Sequence, residues 1–419
     1  MHARSSTADF DVLIAGGGLV GGSLAIALAQ TACRVGLVEA VPPDSDAQPS
    51  FDDRTIAISR GSQRILDSLG LWRLLQDDVW PIERIHVSEQ GRFGTAVIDA
   101  AEQGIPALGF VISSRLLGRA LWHKLAELPS VETFCPAQAE LGDDLQPEPN
   151  GLRTVILRSG EQCKTVRTRL LVVADGARSQ LRSALHIDAG ARDYGQVAVV
   201  ASIEVDSRYA GRTAYERFTP AGPVAILPGR AGHYTLVLAC SSDDAPVLMA
   251  MQDAALLDHV QAAFGQRLGR FRQIGKRHAY PLSLVTADQI VTDRAVVIGN
   301  AAHGLHPIAA QGFNLGLRDV AALAELLADH SRSAAESFDP GSADLLAAYA
   351  EWRKGDQARV VRFTDSLIRV FGIDAAPVSI GRGIGLAALD VLPGAKHELA
   401  RQTMGLAGRL SRLARGLRL

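Results

Sequence analysis

Asp11-Val12-Leu13-Ile14-Ala15-Gly16-Gly17-Gly18-Leu19-Val20-Gly21-Gly22 decides the fold of this 419-residue chain. The first five residues read as a short apolar strand, of the kind buried on both faces in a parallel sheet. Gly16-x-Gly18-x-x-Gly21 follows and opens an apolar helix that runs to about Gln30. A second strand, Arg34–Val38, ends at Glu39 and completes a βαβ unit. Each glycine has its own task there. Gly16 permits the tight turn, Gly18 lets the backbone approach a pyrophosphate, and Gly21 lets helix and strand pack closely. The helix N-terminus offers unpaired N–H groups and the positive end of its dipole. Glu39 stands 23 residues beyond Gly16, where a carboxylate accepts hydrogen bonds from the ribose hydroxyls of a dinucleotide.

The same stretch has a rival reading. Val12–Ala29 carries no charge over 18 residues, which also suits a signal peptide or an anchor. Its five glycines, and the charges that resume at Arg34, favour strand, turn and helix. Around it the composition is that of a globular chain of two or three domains, 47% apolar and 21% charged. Lys plus Arg is 43 against 45 Asp plus Glu, a net charge of −2, so no nucleic-acid partner is expected. Cys33, Cys135, Cys163 and Cys240 are scattered, which suits reduced thiols and a cytoplasmic setting and gives no metal-ligand spacing.

Further along, helical periodicity covers 61–78 and 111–127, the latter with Ser113 or Ser114 as N-cap. Strands are expected at 152–158 and 163–174, the second ending in a buried LLVVADG. Between about 195 and 285, short strand-like runs separated by turn residues predict an antiparallel sheet. A buried strand returns at 295–299, and the chain is mostly helical from 316 onward, apart from a loop at 331–342. Two more motifs follow buried strands. One is Ala174-Asp175-Gly176-Ala177-Arg178-Ser179, which by itself reads as a turn and helix cap. The other is Gly299-Asn300-Ala301-Ala302-His303-Gly304-Leu305-His306-Pro307, continued by Gln311-Gly312-Phe313-Asn314-Leu315-Gly316. Gly312 and Asn314 open a helix, so their N–H groups face whatever binds there.

These three motifs, in this order, resemble the flavoprotein aromatic hydroxylases of the para-hydroxybenzoate hydroxylase type. The resemblance spans about residues 9–370. FDDRTIAIS (51–59), YERFTPAGPVAILP (215–228), GKRHAYPLSL (275–284) and GNAAHGLHPIAAQGFNLGLRDV (299–320) narrow it to the ubiquinone-biosynthesis hydroxylases. The stretch 380–405 is most similar to the 2-polyprenyl-6-methoxyphenol hydroxylases. The resemblance implies an α/β fold with a Rossmann-like FAD-binding domain assembled from 1–80, 101–190 and 286–340. An antiparallel-sheet substrate domain would comprise 81–100 and 191–285, with a helical C-terminal region at 341–419. FAD would be held by Gly16, Gly18, Gly21, Glu39, Arg54, Arg119, Asp175, Asn300, Gly312, Asn314 and Leu315. Asn300 stands where the family usually has Asp, and brings an acceptor without a charge.

The implied chemistry is NADPH- or NADH-driven reduction of the flavin, then reaction with O2 to a C4a-hydroperoxide that hydroxylates an electron-rich phenol. The protein's share is placement, a dry pocket and help with phenol deprotonation. His303, His306 and Pro307 lie in the flavin-proximal loop by resemblance. Either histidine suits proton relay or loop shaping, with loop shaping favoured for His303, and the fixed φ of proline suits a rigid loop. Tyr215, Phe218, Ile226, Leu227 and Pro228 are candidate pocket walls, although strand alternation keeps them from sharing one face.

Leu406, Leu410, Leu413 and Leu417 recur at helical spacing between arginines, and residues 378–419 carry a local charge of +5. This pattern predicts a basic amphipathic helix for a membrane surface or a protein partner of the same pathway, or one packed on the protein's own core. A prenylated phenol substrate favours the membrane, with a peripheral position on the inner face of the cell membrane. A sister hydroxylase acting at another ring position, and a flavin-bound assembly component with little turnover, remain as alternatives.

Overall fold

The computed structural model describes residues 8–45, 48, 54–142, 146–148, 151–209, 211–305, 310–333, 338–373 and 375–419. The main elements begin with strand β1 (Phe10–Ala15), helix α1 (Leu19–Leu28), β2 (Val35–Val38) and β3 (Thr55–Ser59). There follow β4 (Arg84–Glu89), β5 (Thr95–Asp99), β6 (Gly109–Ser113), α2 (Ser114–Ala126) and β7 (Val131–Phe134). Next come β8 (Gln162–Val173), β9 (Ala189–Val205), β10 (Thr213–Thr219), β11 (Gly222–Pro228) and β12 (His233–Ser241). Helix α3 (Asp253–Phe264), β13 (His278–Ala287) and β14 (Ala295–Val297) lead to α4 (Gln311–Ser333), α5 (Ala343–Gly372), α6 (Ala376–Val391) and α7 (Pro393–Thr403).

β14, β8, β1, β2 and β7 lie side by side and parallel. Their apolar residues are covered on both faces. Leu24, Leu28, Leu117, Leu121, Leu317 and Leu323 from α1, α2 and α4 pack on one side. Val155, Leu157, Leu181 and Ile187 pack on the other. Burial on both faces is why these strands read as continuous apolar runs.

The second sheet runs β13-β9-β12-β11-β10-β4-β5 and is antiparallel except for β10 beside β4. Its β4–β5 hairpin comes from the 84–99 stretch, far from the rest in sequence. One face is sealed by α3: Val199, Val224, Ile226, Leu236 and Leu238 are buried against Leu256, Val260 and Phe264. The other face looks toward β3 and β6, which form a small separate sheet.

Three expectations change. The helix expected over 111–127 starts only at Ser114, because Gly109–Ser113 pairs with Thr55–Ser59 as strand β6. The periodic stretch 61–78 is broken by Gly70 at φ +75°, leaving helices Arg60–Ser68 and Trp72–Leu75. The leucine-spaced tail is not a helix: only Leu413–Arg415 forms a single 3-10 turn, and Gly405, Gly408 and Gly416 adopt φ of +68°, +77° and +80°. Three of its leucines serve the protein's own core, Leu413 wholly buried beside α4 and Leu410 and Leu406 partly so, whereas Leu417 is exposed. Arg412 donates to Glu325 and Asp329, and the Arg409 guanidinium lies 3.7 Å from the centre of the Trp352 ring. The helices Ala245–Ala250 and α3, between the antiparallel strands, had no separate sequence signal in our reading.

Candidate functional site

Parallel strands aligned in register end together, so the loops after β2, β1, β8 and β14 meet along one edge of the sheet. That edge carries Glu39, Gly16, Asp175 and Asn300 in that order, the place where open α/β sheets bind ligands. Gly16 has φ +106°, and a Cβ there would stand 2.4 Å from the Ala174 carbonyl oxygen. A Cβ on Gly21 would stand 1.9 Å from the Gly16 carbonyl oxygen, so strand and helix touch through bare backbone. Gly18 is the N-cap of α1 and leaves the helix N-terminus without a side-chain cap. Glu39 accepts from Gly17 N–H at 2.7 Å and Val41 N–H at 2.9 Å, which fixes its carboxylate beside the glycine turn. The Trp122 indole N–H donates to the Gly17 carbonyl at 3.2 Å. Arg119 lies one turn earlier on α2 and is exposed. Asp175 and Asn300 are both exposed at the same edge.

The third motif is tied to the first and to β3. A Cβ on Gly299 or Gly316 would stand within 3.0 Å of Val20 on α1. Asn314 is buried, and its amide oxygen accepts from Ser59 N–H at 2.8 Å. Its amide nitrogen donates to Ala57 O at 2.9 Å and Ala310 O at 2.6 Å. The Asn314 side chain thus staples β3 to the start of α4, and Leu315 beside it is wholly buried. These two residues shape the helix start, while a Cβ on Gly312 would meet nothing within 4 Å among the described residues.

His303 is buried, and its Nε2 lies 2.6 Å from Asp319 Oδ2. Asp319 also accepts from Arg353 Nε at 2.7 Å, Gln357 Nε2 at 3.1 Å and Gly299 N–H at 3.1 Å. Burial alone would raise this carboxyl, but His303 and Arg353 outweigh it and hold it well below the ordinary carboxylate range. The chain therefore places His303 in a sealed ion network that anchors the loop after β14. Asp319 and Arg353 were not singled out in the sequence; the only signal was a charged residue on the apolar face of a helix. His306 and Pro307 lie outside the described residues.

On the substrate-side sheet the five candidate walls divide by alternation. Tyr215 and Ile226 pair and turn toward α3, Tyr215 meeting the Phe264 ring edge-on at 5.4 Å. Pro228 is buried on that same side, opposite Tyr234. Leu227 and Phe218 take the other face. Leu227 packs with Ala57 and Val111, and Phe218 stacks on Phe371 at 3.5 Å. Tyr215, Ile226 and Pro228 therefore drop out of the wall that faces β3, because a strand presents alternate residues to opposite sides. Arg54 joins the two layers, its guanidinium 4.6 Å from the centre of the Tyr280 ring, and Thr55 Oγ1 meets Thr235 Oγ1 at 2.6 Å.

These residues fit an extended FAD. The uncapped α1 N-terminus and Glu39 suit pyrophosphate and ribose, and among the described residues nothing crowds Gly312 at the start of α4, which suits a ring there. Comparison with known proteins agrees. Residues 9–364 match the FAD binding domain family. The ubiquinone hydroxylase UbiL of Rhodospirillum rubrum is 38% identical over 97% of this chain and 93% of its own length. The 3-demethoxyubiquinol 3-hydroxylase of Escherichia coli is 32% identical over 94% and 98%. Among solved structures, p-nitrophenol 4-monooxygenase PnpA of Pseudomonas putida DLL-E4 shares the fold, with a TM-score of 0.76 at 18% identity over 95% and 98% of the two chains. With an FAD-binding architecture and relatives matched over almost their full length, the chain belongs to the FAD-dependent ubiquinone-biosynthesis hydroxylases.

Proposed function

We propose that this monooxygenase hydroxylates the ring of 2-polyprenyl-6-methoxyphenol, with NADPH or NADH and O2 as co-substrates. The observation that carries the reading is the floor of the antiparallel sheet that faces β3, the strand that Asn314 ties to the start of α4. It is built of small apolar residues, Ala198, Val200, Ala225, Val237 and Ala239, several of them only half-buried in the middle of the sheet. Such a floor accepts a flat apolar ring. Bound flavin supplies the oxygen-transfer chemistry; the chain's part is to orient the ring and exclude water. A second reading, hydroxylation at a neighbouring ring position, is favoured by the relative named for a 3-hydroxylase.

A prenylated substrate resides in a bilayer, and α6 offers the surface to reach it. Ile380, Ile384 and Val391 form an exposed apolar stripe at helical spacing, with Val370, Ile373 and Leu392 beside it. No single helix among the described residues is long and apolar enough to cross a membrane. The contact we propose is peripheral and runs through α6 rather than through the packed tail.

The test is NAD(P)H oxidation and O2 uptake by the purified flavoprotein, with and without a short-chain 2-prenyl-6-methoxyphenol. Stimulation with gain of one oxygen para to the hydroxyl is expected. Gain at another position selects the sister reaction. Bound FAD without product from any ring-substituted analogue overturns the self-sufficient enzyme in favour of an assembly component.

A further inference from the structure

One row crosses the floor just described. Register pairs Glu216 of β10 with Ala225, Ala225 with Val237, Val237 with Val200, and Val200 with His278. Glu216 therefore shares the face of Leu227, Thr235 and Phe218, and lies opposite the face of Tyr215 and Ile226. Its neighbour two residues back, Ala214, packs with Ala57. The carbonyl of Ala57 is the one held by Asn314 at the start of α4. A carboxyl thus sits in the apolar floor, next to the strand that adjoins the open helix start.

Its surroundings are unusual for a structural acid. Glu216 is half-buried, yet the chain crowds its carboxyl enough that burial pushes the pKa up to about 7. No charged neighbour contributes to that rise. The charged groups on the packed elements are committed elsewhere. Glu89 of β4 is bound by Arg382 of α6 at 3.0 and 2.5 Å, and α5 ends against Phe218 with the Phe371 ring. Across the floor, His278 stands beside Tyr280 at 6.4 Å, and Tyr280 carries Arg54. Among the described residues the Glu216 carboxyl has neither a hydrogen bond nor an ion pair. A half-buried carboxyl that keeps access to solvent and has no partner from the chain is open to one from a bound ligand.

We propose that Glu216 is the catalytic base that takes the proton of the substrate's ring hydroxyl. The proposal rests on the hydroxylase reading above. The phenol O–H bond breaks, its proton passes to a Glu216 carboxylate oxygen, and the electron pair stays on the phenolate oxygen. From there it feeds the ring carbons ortho and para to it, where oxygen is to be added. The neutral Glu216 then releases its proton to solvent through the open side of the floor. A base with a pKa near the working pH suits this transfer.

Two readouts on the holoenzyme test it. In the first, Glu216→Gln lowers kcat by about 100-fold or more with KM for the short-chain prenyl-methoxyphenol nearly unchanged, and Glu216→Asp restores part of it. The wild-type rate climbs with pH up to about 7 and then levels, and the Glu216→Gln rate is flat there. In the second, the infrared carboxyl band that is present in wild type and absent from Glu216→Gln shifts when the same phenol is added near pH 6.5. Wild-type kcat in a folded, FAD-replete Glu216→Gln enzyme, or a carboxyl band unmoved by bound phenol, overturns the assignment and leaves the hydroxylase reading standing. A wild-type enzyme that neither binds nor oxygenates any phenol overturns that reading itself.

Discussion

At the scale of single residues, the glycines of the cofactor edge separate into those the chain needs and those the ligand needs. A Cβ on Gly21 collides with Gly16 backbone, whereas one on Gly312 meets none of the described residues within 4 Å. Gly21→Ala is therefore expected to melt early whether or not FAD is present. Gly312→Leu is expected to keep the melting temperature of the apoprotein and to weaken FAD binding by about tenfold or more, a loss of about 1.4 kcal/mol. Fluorescence titration with FAD beside thermal melts of the apoproteins separates the two. Glu216 has a stability signature of its own. Its folded pKa lies above its unfolded one, so the wild type is favoured while the carboxyl stays neutral. It loses stability as pH rises from the ordinary carboxylate range to about 7. Relative to wild type, Glu216→Gln is expected to gain up to about 3 kcal/mol at pH 8 compared with pH 4. Urea melts at the two pH values check this. Gly16, Gly18, Gly21 and Glu39 were legible because the dinucleotide turn constrains residue type at fixed spacing. Glu216 was not: it stands inside a motif quoted for its likeness to a family, and its position on the floor is decided only by pairing register.

At the scale of elements, α4 and α5 carry a buried ion cluster between them. Asp319 binds His303 and Arg353, and Arg353 reaches Asp356 at 2.7 Å, which in turn meets Arg318 at 3.0 Å. Removing one partner from such a cluster leaves a buried charge alone, which costs about 3–5 kcal/mol. Asp319→Asn is expected to lose that much stability and to loosen the loop after β14, seen as faster amide exchange around Gly299–Gly304. Asp319 is held below the ordinary carboxylate range, so its contribution is present above pH of about 4 and is lost as pH falls below that. The wild type is expected to lose stability more steeply than Asp319→Asn through the acid range in calorimetric scans. Strand elements were legible where burial on both faces leaves an apolar run, as in β1, β8 and β14. The tail was not, because leucine spacing alone cannot separate a helical stripe from residues that turn one by one into a core. The positive-φ glycines at 405, 408 and 416 decided it.

At the scale of the molecule, two sheets face each other across Thr55–Thr235 and Arg54–Tyr280. The outer stripe of α6 lies away from both. Val391 is 74% exposed and Ile384 57%. Ile384→Glu combined with Val391→Glu is expected to abolish sedimentation with anionic phospholipid vesicles and to leave turnover of a short-chain soluble phenol intact. Retained sedimentation places the contact elsewhere. The layer plan followed from the sequence because alternating and continuous apolar patterns mark half-buried and fully buried strands. The exposed stripe of α6 did not, because Gly381, Gly383 and Gly385 hide its face from any periodicity count.

The parallel sheet pairs β1 with β8 and β8 with β14, so strands from the start, the middle and the last third of the chain lie side by side. A nascent chain leaving the ribosome therefore owns a phosphate-binding turn long before it owns a cofactor site. Until Asn314 has emerged, β3 lacks the amide that staples it to α4. Flavin capture is thus a late event of synthesis, and the first two-thirds of the chain must wait as an open sheet whose missing strand has yet to be translated.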